Sequence, residues 1–128
     1  MPNNGLPPAI LIVENEEDTR RLYVDVLTYT EARILEAGNP YEAFEQLRAH
    51  SISLILTDLQ MPGGGIQYLR NLRHEAPTCP IIAITGLGGE MQAAAIAAGA
   101  TLFLEKPIRT KQLRETVNRF LPSTPAAV

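Results

Sequence analysis

Four short runs of unbroken apolar residues, each closed by a polar group, constrain this chain more than anything else in it. They are Ile10, Leu11, Ile12 and Val13; Leu54, Ile55 and Leu56; Ile81, Ile82, Ala83 and Ile84; and Leu102, Phe103 and Leu104. Continuous rather than alternating apolar character is how a strand reads when both faces of its sheet are covered. A fifth, weaker run at Arg33, Ile34, Leu35 and Glu36 mixes charge with apolar groups and suits an edge strand. Helical periodicity fills the intervals. Residues 16–28 set Leu22, Val26 and Leu27 on one side, and 41–49 set Ala43, Phe44 and Leu47 there, with Pro40 suited to a first turn. Residues 66–75 present Leu69 and Leu72, and the alanine-rich 90–98 end at Gly99, a C-cap residue. Residues 110–121 present Leu113, Val117, Phe120 and Leu121, with Thr110 expected as the N-cap.

A strand–helix pair repeated five times predicts an α/β fold, a parallel sheet covered on both faces with right-handed crossovers. The 128 residues suffice for one such domain without disulfides or a structural metal, and the single Cys79 suits a reducing, cytoplasmic setting. The expected domain is 9–121, with 1–8 and 122–128 as tails, the second equally readable as the start of a linker. A net charge of −3 gives no electrostatic reason to expect nucleic acid or an anionic membrane as direct partner. No apolar stretch approaches the ~20 residues of a membrane span.

The polar residues that follow each run carry the chemistry. Val13 is followed by Glu14, Asn15 and Glu16, Leu56 by Thr57 and Asp58, Ile84 by Thr85 and Gly86, and Leu104 by Glu105, Lys106 and Pro107. In an open parallel sheet, ligands bind outside the carboxyl ends of the strands. Carboxylates, a hydroxyl and an ammonium at that edge suit a divalent cation and a phosphoryl group better than acyl or hydride chemistry. Taken singly, each residue has a plainer reading. Asn15 would serve as a helix cap with Glu17 and Asp18 complementing the helix dipole, Asp58 as a turn former, Thr85 as a strand-end residue and Lys106 as a solvated lysine. Their shared position at the ends of four strands favours the site.

Four stretches, ILIVENEED at 10–18, LILTDLQMP at 54–62, PIIAITG at 80–86 and GATLFLEKP at 99–107, resemble the response-regulator receiver domain of two-component signalling, the CheY-like class. The resemblance spans residues 9–121 and implies a flavodoxin-like (βα)5 sheet with strand order 2-1-3-4-5. It implies that Asp58 accepts a phosphoryl group from a phosphohistidine on a sensor histidine kinase or histidine phosphotransfer protein. It also implies that Glu14, Asn15, Asp58 and the backbone carbonyl of Gln60 hold Mg2+. Lys106 would neutralise the phosphoryl oxygens, Gly86 offer a backbone N–H, and Thr85 with Phe103 form the switch. The signal would pass to an output protein or domain through the face of the fourth helix, fifth strand and fifth helix, where a homodimer could also form. Such a domain is a signalling unit that assists its own phosphorylation and dephosphorylation, not an enzyme acting on a separate substrate.

Several residues depart from the family pattern. Asn15 stands where a carboxylate is usual, which weakens the expected attraction for Mg2+. Phe103 lacks the hydroxyl of a tyrosine often found there. Gly86 and Leu87 replace alanine and a polar residue, and Leu87 is expected to hinder the attacking water and slow dephosphorylation. The sequence Met61, Pro62, Gly63, Gly64 and Gly65 is one residue shorter than usual and reads as a turn, since no lysine and hydroxyl pair follows to make a P-loop. His50 and His74 suit helix C-termini, and the basic last helix (Arg109, Lys111, Arg114, Arg119) reads as a solvated face or a surface for an acidic partner. An erosion of the metal site at Asn15 leaves open a second reading, an interaction module that works without phosphorylation. A flavodoxin-like cofactor enzyme is disfavoured, because acids occupy the first turn where a flavin phosphate needs glycine and hydroxyl donors.

Overall fold

A computed structural model describes residues 6–86 and 88–122. Five strands alternate with helices along the chain: β1 (Ala9–Val13), α1 (Glu17–Leu27), β2 (Arg33–Ala37), α2 (Pro40–Ala49), β3 (Leu54–Asp58), α3 (Ile66–Glu75), β4 (Ile81–Thr85), α4 (Gln92–Ala98), β5 (Leu102–Glu105) and α5 (Thr110–Phe120). All strand pairs are parallel, in the order β2-β1-β3-β4-β5. The order reverses between β1 and β3, which opens a crevice at the carboxyl ends of those strands.

Alternation along each strand divides the core in two. Ile10, Ile12, Leu54, Leu56, Ile82, Ile84 and Leu104 face α1 and α5, packing against Tyr23, Leu27, Leu113 and Val117. Leu11, Val13, Ile55, Ile81, Ala83 and Phe103 face the other way, against Ala43, Tyr68, Leu69, Leu72 and Ala95. Burial on both faces is the physical reason that β1 and β4 carry no polar residue before their last position, and β3 none before its last two, Thr57 and Asp58. β2 lies at the edge and is only half-buried over most of its length, as its mixed composition predicts.

Four details of the helices differ from expectation. Leu22 is 57% exposed, while Tyr23 and Leu27 fill the sheet-facing position of α1. A residue turns ~100° along a helix, so Leu22 lies off the ridge that Tyr23 and Leu27 share. Thr110 is the first helical residue of α5 rather than its cap, because Leu113 N–H already bonds the Arg109 carbonyl at 3.0 Å. Asn15 does not cap α1; Glu16 holds that position without a side-chain cap, and Arg20 N–H bonds its carbonyl at 2.9 Å. The stretch expected as a single helix from Glu90 begins instead as a 3-10 turn, Gly88–Met91, before α4.

The remaining landmarks frame the site. The glycines at 63–65 make the turn into α3, where a Cβ on Gly64 would sit 2.6 Å from the Leu59 carbonyl oxygen. Gly99 ends α4 in the left-handed region, at φ 118°. His50 and His74 stand at the C-terminal ends of α2 and α3, as expected. Cys79 is half-buried, and burial pushes its thiol up to about 11 against the opposing charge of Arg73, so it packs rather than reacts. Of the expected tails, residues 1–5 and 123–128 lie outside the described residues, while the Pro8 carbonyl accepts from Arg33 N–H at 2.8 Å. No helix among the described residues is long and apolar enough to cross a membrane.

Candidate functional site

The crevice is built from the last residues of β3 and β4 and the first residues beyond β1 and β5. Glu14 continues the backbone of β1, its N–H bonded to the Ala37 carbonyl at 3.0 Å, and its side chain is fully buried. Asp58 ends β3 and is 2% exposed. Lys106 follows β5 and is held by its own N–H on the Thr85 carbonyl at 2.9 Å. Its ammonium donates to Glu14 Oε1 at 2.7 Å and to Asp58 Oδ2 at 2.8 Å. One cation thus bridges two buried carboxylates from different strands, the arrangement that makes their burial tolerable.

The other oxygens are also engaged. Glu14 Oε2 accepts the Glu16 N–H at 3.0 Å, and Asp58 Oδ1 accepts the Gln60 N–H at 2.9 Å. Burial alone would pull the Lys106 ammonium down. Its hydrogen bonds and charge contacts with Asp58 and Glu14 outweigh that effect and hold it above the ordinary lysine range. The nearby Tyr23 hydroxyl is raised chiefly by burial, Lys106 opposing it and Glu14 and Asp58 adding to it.

Thr85 closes β4 and is fully buried. It shares its strand face with Ala83, whose register partner on β5 is Phe103. Phe103 is buried within the apolar cluster on that side. The two residues expected to form a switch therefore lie on one face of adjacent strands. Asn15 is exposed at the rim beside Glu14. Gly86 is exposed too, but its N–H is taken, donating to Oε1 of the Gln60 side chain. Leu87 lies outside the described residues.

Several contributors were not legible from local spacing. Arg20 on α1 donates to the Glu14 carbonyl at 2.8 Å and to Glu36 Oε1 at 3.0 Å, tying the β1 end to β2. Thr57 and Tyr68 share a buried hydroxyl contact at 2.8 Å, and Thr57 Oγ1 also donates to the Asp58 carbonyl at 3.0 Å. A tyrosine on the apolar face of α3 was the available signal, since a buried phenol needs a polar partner. Arg73 joins the ends of α3 and α4, and the Gln60 side chain spans two loops.

The oxygen donors suit a hard cation such as Mg2+, with two carboxylates in place and an amide on the rim. Among the described residues no group of three or more Asp, Glu, His or Cys side chains is placed to hold a metal. The donor set therefore fits Mg2+ with fewer charged ligands than an acidic triad provides.

Comparison with known proteins agrees with the fold. A family model described as the response regulator receiver domain matches residues 10–118. The chain is 31% identical over 97% of its length to the autoinducer 1 sensor kinase/phosphatase LuxN of Vibrio campbellii, covering 15% of that protein. It is 35% identical over 84% of its length to the response regulator protein PilR of Pseudomonas aeruginosa, covering 24% of it. The chain thus spans less than a third of either curated relative. Among solved structures, the receiver domain of NtrX from Brucella abortus superposes with a TM-score of 0.81 at 28% identity, over 88% of this chain and 97% of that one.

Proposed function

The chain belongs to the response regulator receiver family, and from that premise we propose that it accepts a phosphoryl group on Asp58 and relays the change to a partner. The observation that carries this reading is the ammonium of Lys106, which meets a buried Asp58 and a buried Glu14 at 2.8 and 2.7 Å.

In the proposed step an Asp58 carboxylate oxygen attacks the phosphorus of a phosphohistidine on a sensor kinase or phosphotransfer protein. An O–P bond forms as the P–N bond breaks, and the bonding pair returns to the imidazole nitrogen. A carboxylate meets an anionic donor only where positive charge offsets the developing negative charge. Lys106 supplies that charge by exchanging a carboxylate oxygen for a phosphoryl oxygen. Glu14, Asn15, Asp58 and the Gln60 backbone carbonyl would hold Mg2+, which when bound adds positive charge beside the same oxygens. Thr85 is the strand-end hydroxyl that would meet the product, and Phe103 on the same face is the packing element that would report it. The output would pass through the surface of α4, β5 and α5, where Ile96 is 44% exposed, to an output protein or domain or to a second copy of the chain.

Incubation with Mg2+ and acetyl phosphate, followed by intact mass, separates this reading from a phosphorylation-independent interaction module. The module reading draws on the neutral Asn15 and on a Lys106 that already compensates both acids. The proposal expects a single phosphoryl addition, with acetate as the leaving group, and no addition to Asp58→Asn. The module predicts an unchanged mass for both.

Asn15 sets the strength of the metal contact. Asn15→Asp is expected to tighten Mg2+ binding roughly tenfold or more, because a formal charge then faces a divalent cation at close range. Calorimetric titration checks this, and equal affinities would show that residue 15 does not touch the ion.

A further inference from the structure

Gln60 sits between the two loops that close the crevice. Its backbone N–H is fixed on Asp58 Oδ1 at 2.9 Å, and its side-chain amide reaches the first residue after β4. There the Gly86 N–H donates to Oε1 of Gln60. The orientation of the amide follows from its partner, because a backbone N–H can bond only to the oxygen of a carboxamide. The amide oxygen therefore holds the donor that a phosphoryl oxygen on Asp58 would need. Gly86 makes this possible. A Cβ at position 86 would lie 2.9 Å from Gln60 Oε1, while its distance to the Cβ of Lys106 would be an ordinary 4.0 Å.

From this we infer that the Gln60 side chain is a placeholder for the phosphoryl group: its amide oxygen occupies the Gly86 N–H in the unmodified protein and must leave before an anion on Asp58 can take it. The inference rests on the phosphoacceptor reading above and deepens it. Arrival of the anion costs one hydrogen bond between the β3–α3 and β4–α4 loops, so Gln60 lowers the affinity of the site for a tetrahedral anion. The pair of residues accounts for the effect together, since alanine in place of Gly86 would expel the amide oxygen and leave the rest of the crevice in place.

The test is a beryllium fluoride titration of the full chain with Mg2+, followed by NMR, on wild type, Gln60→Ala, Gly86→Ala and Asp58→Asn. Exchange of the backbone amide at position 86 is measured in parallel, without anion or metal. The wild type is expected to bind and Asp58→Asn is not. Gln60→Ala and Gly86→Ala are each expected to bind about two- to fivefold more tightly, the worth of one exposed N–H···O bond. Both are also expected to show faster amide exchange at position 86 in the free state. Binding by the wild type with no gain in either variant overturns the placeholder while leaving the phosphoacceptor intact. Failure of the wild type and both variants to bind overturns the phosphoacceptor reading and the placeholder with it. A gain in Gln60→Ala alone, with wild-type affinity in Gly86→Ala, also overturns it, because displacing the amide oxygen would then be without consequence.

Discussion

Lys106→Met is expected to destabilise the domain by about 3 kcal/mol and to reduce phosphorylation by acetyl phosphate at least ~100-fold. The stability loss follows from what remains. Glu14 and Asp58 are both buried at the crevice floor and both lean on the one ammonium, so its removal leaves two desolvated carboxylates facing each other. The loss of reactivity follows from the same geometry, since the group that compensates Asp58 is the group that would compensate the transferring phosphoryl oxygens. Urea unfolding and intact-mass kinetics measure the two effects. Their pH dependence has a definite sign. The folded state holds Lys106 above its ordinary value of 10.5, so its stabilisation is complete below that pH and fades as pH climbs through the raised value. The stability gap between wild type and Lys106→Met should therefore be constant across neutral pH and narrow above pH 10.5.

Arg73→Ala is the second large effect, expected to cost about 2 to 4 kcal/mol. The guanidinium donates to the Gly99 carbonyl through Nε and Nη2 at 2.9 and 2.7 Å, and through Nη1 to the Ala76 and Cys79 carbonyls at 2.8 and 2.6 Å. It thereby satisfies carbonyls at the ends of both α3 and α4 that no helical N–H reaches. Gly99 belongs to the same device. Its backbone lies at φ 118°, and a Cβ there would sit 2.7 Å from Arg73 Cγ, so Gly99→Ala should cost about 1 to 2 kcal/mol and displace the arginine. The two substitutions share a contact, so the double variant is expected to lose less than the sum of the single ones. Additive losses in urea unfolding would show that Arg73 and Gly99 act separately.

These two sites mark the boundary of what local sequence reveals. β1, β3 and β4 are buried on both faces, and that condition writes itself into the chain as unbroken apolar runs, with the candidate site residues at their ends. Glu14, Asp58, Thr85 and Lys106 could be placed at one edge because strand ends in a parallel sheet share a side. Tyr23 and Leu22 illustrate the first limit: both suit an apolar stripe, and only the rotation of α1 on the sheet decides between them. The Gln60 amide on Gly86 and the Arg73 guanidinium on Gly99 illustrate the second. Each joins residues 26 positions apart, through side chains whose direction depends on how separate loops pack, and no spacing rule encodes that. The family pattern supplied a role for the Gly86 N–H but not the neighbour that occupies it here.

Phosphoryl transfer to Asp58 would leave a mark that chemistry can trap. An aspartyl phosphate is an acyl phosphate, and borohydride reduces it to the alcohol, leaving homoserine at the modified position. The chain treated with acetyl phosphate and Mg2+, reduced, digested and sequenced by mass spectrometry should carry homoserine at position 58 and at no other acidic residue. A reduced alcohol at Glu14 or elsewhere, or a phosphorylated protein that yields none at 58, would contradict the account.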